Sequence, residues 1–356
     1  MLIVVFALLI ALVCARLVAQ HRVAKRIAIT SPDGIDSLED VWLGGARQWI
    51  LIRGWHRSKP LLLFLHGGPG FPEMPFAWVN SDLENDFVVV HWDQRGAGKS
   101  FPAPGNSLEV AQFVSDTREL SDLLLKRFGA KKLLLVGHSW GSLIGAITAA
   151  RYPENFFAYV GISQFADAPE SERMMYRFAL QQAERASNQS AIRELKENGP
   201  PPYDSMAKFR AMKSWVGRFN DRDYDPISRW RFIWTAFASP IYSWRDLANL
   251  AWGVRSSFEE LWREVFYKEN LLRDAPRIEV PVYFLEGRHD RVVTASSEMA
   301  ERYFTALEAP KGKQLIWFDN SGHWPQLEEP GRFRNELRQL ASEHQIQMNE
   351  DGKNSL

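Results

Sequence analysis

One cysteine stands in the whole 356-residue chain, Cys14, so no intramolecular disulfide can form and cysteine usage does not reveal the redox compartment. Net charge is also missing: 43 Lys and Arg face 43 Asp and Glu. That removes the basic face nucleic acid requires and any strong field for steering charged substrates. No Cys/His cluster has zinc spacing, and no repeat or low-complexity tract occurs. Gly98-Lys99-Ser100 resembles the end of a phosphate-binding loop, but the glycine needed five residues before Gly98 is Asp93. No metal or other cofactor is therefore expected, and no nucleic-acid partner. Apolar residues make up 46 % of the chain, ample for one large domain or two small ones.

Charge is absent from the N-terminus too. Residues 1–15 are unbroken apolar sequence, and residues 17–19 extend the run past Arg16. As a helix, fifteen residues span about 22 Å and nineteen about 28 Å, short of a bilayer core of about 30 Å. Tilt, thinning and a snorkelling Arg16 absorb such a shortfall. No positive residue precedes the run, unlike a secretory signal, and Val13-Cys14-Ala15 is a passable cleavage site only. Arg16, Arg22, Lys25 and Arg26 follow it, which by the positive-inside rule keeps the remaining chain cytoplasmic. The first expectation is a single-pass or peripheral anchor over 1–26, with membrane association through residues 1–19. Export after signal cleavage, or a helix docked on the globule, are the alternatives.

Among what is present, Gly137-His138-Ser139-Trp140-Gly141 is the most informative stretch. Residues 132–136 (KLLLV) read as a buried strand and 142–151 (SLIGAITAAR) as a helix of small residues. That context turns a weak Gly-x-Ser-x-Gly match into a sharp turn that lifts the Ser139 hydroxyl clear of the sheet. Gly161-Ile162-Ser163-Gln164-Phe165 nearly repeats the pattern, lacks the last glycine, and reads as plain strand.

An acid and a base follow in chain order. The strand at 281–287 (PVYFLEG) runs into Arg288-His289-Asp290, and the strand at 315–318 (LIWF) into Asp319-Asn320-Ser321-Gly322-His323. Functional groups of an open parallel sheet gather past the carboxyl ends of its strands. Ser139 as nucleophile then needs His323 as base and Asp290 to fix the tautomer of that base. Glu286 is the rival acid, whereas His138 and His289 lie beside nucleophile and acid rather than opposite them. His66-Gly67-Gly68-Pro69-Gly70, after the strand at 61–65 (LLLFL), supplies backbone N–H groups for an oxyanion hole. Gly68 is preferred there over Gly67, with Trp140 N–H as the second donor.

These two motifs, with Asp93-Gln94-Arg95-Gly96-Ala97-Gly98-Lys99-Ser100 between them, resemble the prolyl iminopeptidase family of α/β-hydrolases over roughly residues 27–338. The resemblance implies a Ser-Asp-His triad, a helical cap, no metal, and release of N-terminal proline from peptides. Family members typically carry a Trp-Glu pair in the cap whose glutamate holds the free amino terminus. The most similar run here is Trp230-Arg231-Phe232-Ile233-Trp234-Thr235, with Thr235 in place of that glutamate; Glu259 or Glu260 are substitutes for it. Trp230, Trp234 and Thr235 are the candidate substrate-binding residues.

Strands alternating with helices predict a doubly wound, mostly parallel α/β sheet. A helix is expected over 110–128 and Arg95 is read as a structural tie. Between the strand at 159–165 and the next, near 279, more than a hundred residues intervene, too many for one crossover. An inserted helical cap over 166–273 accounts for them, within a core of 27–165 and 274–345 and before a polar tail at 346–356. Of Trp215, Trp230, Trp234, Trp244, Trp252 and Trp262, four are expected in the core of the cap and one or two against the substrate. The expected function is a serine hydrolase working through an acyl-enzyme, a proline-type aminopeptidase on short peptides. A carboxylesterase or amidase of small apolar substrates is the alternative, and a non-catalytic ligand-binding protein of the same fold the third reading. Epoxide hydrolase and haloalkane dehalogenase chemistry is disfavoured, because the elbow holds Ser139 rather than a carboxylate.

Overall fold

Apolar runs without polar interruption bury both faces of a strand, and here they form the middle of the sheet. These are β3 (Leu61–Leu65), β4 (Val88–Asp93), β5 (Leu133–His138), β6 (Phe156–Ile162) and β7 (Val282–Gly287). The computed structural model describes residues 2–103, 108–220, 228–290 and 297–343; the tail expected at 346–356 lies outside them. A hairpin of β1 (Ile35–Leu43) and β2 (Ala46–Gly54) forms one edge and β8 (Lys313–Phe318) the other. The order is β1-β2-β4-β3-β5-β6-β7-β8, antiparallel through β2 and β4 and parallel beyond.

Alternation along the central strands divides the core in two. Leu61, Leu63, Leu65, Leu133 and Leu135 face α2 (Val110–Phe128) and α3 (Trp140–Arg151). Leu62, Phe64, Leu134 and Val136 face α12, the C-terminal helix Pro330–Glu343. Winding reverses between β3 and β5, which are neighbours although β4 lies between them in sequence. Such a switch point opens a crevice past the strand ends, and the glycine loop and Ser139 both emerge there. The strand expected at 159–165 ends at Ile162, because Ser163 turns out of the ladder with φ 45°.

Among the described residues, the chain between β6 and β7 is helical: α4 (Ala168–Arg185), α5 (Gln189–Asn198), α6 (Met206–Asn220), α7 (Arg229–Phe237), α8 (Trp244–Tyr267) and α9 (Leu271–Asp274). Its ends meet where Leu271 N–H donates to Ala166 O at 2.8 Å and Asn270 Nδ2 to Asp167 at 2.9 Å. Two short helices complete the core, α10 (Ser297–Ala306) and α11 (Pro325–Glu328).

The six cap tryptophans depart from expectation. Trp215 and Trp262 are buried, but Trp230, Trp234, Trp244 and Trp252 are exposed. Helical phase explains α7: Phe232 packs inward on Phe76, ring centroids 4.5 Å apart, which turns Trp230 and Trp234 to the opposite side.

The N-terminal helix α1 (Leu2–Arg26) is divided by Arg16. Large apolar side chains before it, from Ile3 to Val13, are exposed. Arg16 itself does not snorkel. It is 3 % exposed, donates to Phe237 O at 3.2 Å and Tyr242 O at 2.6 Å, and lies over the Trp244 ring at 4.1 Å. Carbonyls left over at the end of α7 satisfy the guanidinium better than distant solvent would. Gln20 adds a bond to Ser239 O, and Ala19 and Val23 pack on Ala238.

Arg95 is the structural tie expected. Its guanidinium forks onto Asp116 at 2.7 and 2.9 Å, also reaches Leu43 O and Gly44 O, and is as buried as its partner. Gln48 holds Asp116 at 2.7 Å and Trp92 at 3.0 Å. Removing one partner of a buried pair strands the other charge, which costs about 3–5 kcal/mol. Asp116→Ala is therefore expected to lower the free energy of unfolding by that much, measured by urea unfolding of the purified chain; a loss under about 1 kcal/mol would show that the pair does not hold the loop.

Candidate active site

Ser139 sits between β5 and α3 with φ 51° and ψ −114°, a strained conformation for a side-chain-bearing residue. Its neighbours permit the turn. A Cβ on Gly137 would stand 2.3 Å from Gly141 O, and one on Gly141 2.1 Å from Leu65 O. Strand and helix thus approach as closely as backbones can, and Ser139 N–H is fixed to Ile162 O at 2.9 Å. Among the described residues the Ser139 hydroxyl makes no hydrogen bond. Catalytic bonds of this kind commonly tighten only with substrate.

The expected base and acid are paired with each other. His323 Nδ1 donates to Asp290 Oδ2 at 2.8 Å, and Asp290 is buried. That bond leaves Nε2 as the nitrogen able to take a proton. Glu286, the rival acid, is buried in the strand: its Oε1 accepts the Gln164 N–H at 2.7 Å, and burial drives its pKa well above the usual carboxylate range. His289 lies on an exposed turn against Asp319 O at 3.1 Å.

Of the oxyanion candidates, Gly67 N–H is already committed to Glu73 Oε1 at 3.0 Å. Gly68 follows with φ 124°, and a Cβ there would stand 2.6 Å from Gly70 N. Trp140 opens α3, so its N–H has no intrahelical acceptor. The loop after β4 holds both flanks. Gln94 Nε2 donates to His66 O at 3.1 Å while its Oε1 accepts the Trp140 indole at 2.9 Å. His66 Nε2 in turn accepts Gln94 N–H at 3.1 Å, so its proton is on Nδ1, donated to Gly67 O at 2.7 Å. Burial lowers the His66 pKa to about 4, which keeps that ring neutral.

A second buried pair is invisible in the motifs. His138 Nδ1 meets Glu73 Oε1 at 2.5 Å, and His138 Nε2 meets His323 O at 2.7 Å. Both partners only accept, so the ring must carry two protons. Burial alone would lower the His138 pKa, but the Glu73 charge overrides it and the pKa is raised. Burial would likewise raise Glu73, yet the imidazolium and its hydrogen bonds hold it below the usual value. Glu73 Oε2 also takes Gln326 Nε2 at 3.1 Å, and Ser163 Oγ donates to His323 O at 3.2 Å. One ion pair therefore joins the glycine loop, the nucleophile elbow and the loop of the base. No sequence pattern marks Glu73; a buried histidine beside the nucleophile was the only hint.

Above His323 stands an aromatic wall. Trp324 packs on His138 at 4.4 Å, on Phe71 at 5.5 Å and on Phe232 of α7 at 5.4 Å. The structure does not bring Trp230 or Trp234 to this wall. Thr235 donates its hydroxyl to Arg231 O at 2.7 Å within its own helix. Glu259 pairs with Arg210 and Arg255 on the surface, and Glu260 is exposed.

Glu73→Gln tests the buried pair. The part of stability held by His138 is complete below its ordinary pKa of 6.5 and is lost as pH rises through the raised folded value. The Glu73 part is complete above 4.5 and is lost as pH falls through its lowered value. The variant is expected to lose about 3 kcal/mol between those limits and less at alkaline pH. Thermal melts of both proteins across pH 5 to 9 read this directly; a gap constant with pH would contradict the assignment.

Comparison with known proteins agrees with this geometry. Residues 60–330 match the family model described as alpha/beta hydrolase fold. The chain is 32 % identical over 325 residues to Probable aminopeptidase YbaC of Bacillus subtilis, covering 89 % of this chain and 99 % of that protein. A Proline iminopeptidase of Heyndrickxia coagulans is 24 % identical over 76 % of this chain and 87 % of its own. Among solved structures, a proline iminopeptidase-related protein from Thermus thermophilus superposes with a TM-score of 0.59 at 21 % identity, over 86 % of this chain and 98 % of the other. The elbow, the paired acid and base, and the match across 60–330 lead to one conclusion: this chain belongs to the α/β-hydrolase family, with aminopeptidases and proline iminopeptidases among its relatives.

Proposed function

We propose that the protein is a serine hydrolase that works through an acyl-enzyme and removes N-terminal residues, proline above all, from short peptides. The observation that carries the reading is the Asp290–His323 bond beside a strained Ser139. Ser139 Oγ attacks the carbonyl carbon while His323 Nε2 takes its proton. Gly68 and Trp140 N–H groups stabilise the oxyanion. Collapse breaks the C–N bond, and His323 returns the proton to the leaving amine. Water then attacks the acyl-enzyme with His323 again as base, and Ser139 regains its proton. Likeness to an aminopeptidase along nearly the full chain supports the peptide substrate.

One observation favours a second reading, an esterase or amidase of apolar substrates. Thr235 is bonded within its helix, and Glu259 and Glu260 face solvent. None of the three supplies the charge-assisted bond that selects a free amine. The wall of Phe71, Phe232 and Trp324 suits an apolar acyl group equally well. We also read α1 as a single-pass or peripheral membrane anchor, with the hydrolase on the cytoplasmic side.

Steady-state turnover of proline, alanine and N-acetyl-proline arylamides beside a short-chain aryl ester separates the readings. Ser139→Ala and Asp290→Asn are expected to lower kcat by about 10⁴ or more on every substrate turned over. Fast release from free proline arylamide alone supports the aminopeptidase. Ester cleavage without free-amine preference supports the esterase. A folded protein that no fluorophosphonate labels would reject both and leave a ligand-binding role.

A further inference from the structure

Among the described residues, the outer face of α7 has no protein partner that explains its composition. Trp230 is 74 % exposed, Trp234 53 % and Ile233 48 %, on a helix of nine residues. Trp244, 47 % exposed, follows at the start of α8, where it receives Arg16 of α1. Isolated surface apolar residues need no explanation, but a cluster of large aromatic ones does. This cluster is continuous with α1. Trp234, Ala15, Val18 and Ala19 line one depression together with Arg22 and Trp78, and Leu17 and Val18 carry the exposed apolar surface of α1 down to it.

We propose that the outer face of α7, together with the adjoining turn of α1, is a docking surface for a lipid bilayer and lies within its headgroup region. The proposal rests on reading α1 as an anchor and adds where the catalytic domain must sit. The position of Arg16 decides this, since it is pinned to the cap. The exposed apolar stretch of α1 runs up to Val13, about 4.5 Å along the same unbroken helix from Arg16, so no spacer separates that stretch from the cap. A bilayer that takes up the apolar stretch therefore brings its interface against the cap. The chemistry fits: tryptophans concentrate at the headgroup level, apolar body inward and N–H toward water. Arg22 and Arg26 at the depression and Lys25 beside them are exposed, and anionic headgroups attract such cations. The opposite side of α7 presents Phe232 to Phe71 and Trp324. One short helix thus touches the bilayer on one side and the wall above the catalytic base on the other.

Because Cys14 is the only cysteine and is exposed on α1, the full chain itself provides the probe. The native protein is labelled at Cys14 with an environment-sensitive thiol dye. Cys14→Ser/Ile233→Cys is labelled likewise, and Cys14→Ser/Arg302→Cys on α10 serves as reference. Each is reconstituted into vesicles of phosphatidylcholine and phosphatidylglycerol, with or without spin-labelled lipid. The expected result is a blue shift and loss of most emission at 14 and 233, with none at 302. Quenching at 14 without quenching at 233 overturns the docking surface and leaves the anchor standing. No quenching at 14 overturns the anchor, and the docking proposal with it. Emission at 233 that ignores spin-labelled lipid but falls as protein is added would assign the face to a second copy of the chain, which also overturns the proposal. Ester hydrolysis by each labelled protein confirms folding, and Trp230→Cys gives the same reading should Ile233→Cys fail to fold.

Discussion

The loops at the switch point of the sheet depend on one buried charge pair, Glu73 and His138. Glu73 and His138 are both buried, and burying two charges costs several kcal/mol per ion before any attraction is counted. The pair is tolerable because almost every donor and acceptor in it is used. Both ring nitrogens of His138 have acceptors, and both Glu73 oxygens take further bonds, from Gly67 and Gln326. Loops are ordinarily the most mobile part of an open sheet. A misplacement of about 1 Å between nucleophile and base costs about 10² in rate. The pair fixes the segments that begin at residues 66, 139 and 319 against each other, which no single hydrogen bond between neighbours could do.

A second layer supports the first. Gln94 bridges the backbone of His66 and the indole of Trp140, so it spans the two sides of the oxyanion site. Arg95, one residue on, is tied through Asp116 to Gln48 and Trp92. The Asp93–Ser100 motif, the one most specific to the family, is therefore scaffolding. Its charged members bond within the protein: Arg95 to Asp116, Lys99 to Asp246 of α8, and Asp93 to Tyr242 and the Lys99 N–H. Asp93 illustrates the expense of this: burial pushes its pKa to about 7 even though Tyr242 and the Lys99 N–H bond it. Such a group is kept for where it holds the chain.

What could be read from sequence was whatever a local pattern encodes. The apolar runs at 61–65 and 132–136 became central strands, and the amphipathic stretch at 110–128 became α2 with both ends as expected. The positions of Ser139, Asp290 and His323 past the ends of β5, β7 and β8 were legible because each follows an apolar run that forms a strand. Glu73 was not legible. It stands in a Phe-Pro-Glu-Met-Pro stretch without periodicity, and its partner lies 65 residues away. The tryptophans between β6 and β7 were misplaced for another reason. A short helix with aromatic residues on every side has no hydrophobic stripe, so its phase cannot be chosen without knowing what Phe232 packs against. Arg16 was misjudged similarly, since its acceptors are carbonyls 221 and 226 residues further along.

This division of labour bears on where specificity resides. The loops that carry Gly68, Ser139 and His323 are held from beneath by an ion pair and buried hydrogen bonds, which tolerate little change. The aromatic wall above His323 is held by ring packing, through Phe71, Phe76, Phe232 and Trp324. Aromatic packing is worth only about 0.5–1.5 kcal/mol per pair beyond area, and it gives no directional lock. Substitutions in that wall can reshape the pocket while leaving the hydrogen-bonded machinery intact. An aminopeptidase and an esterase built on this frame would then differ in the inward side of α7 and not in the triad.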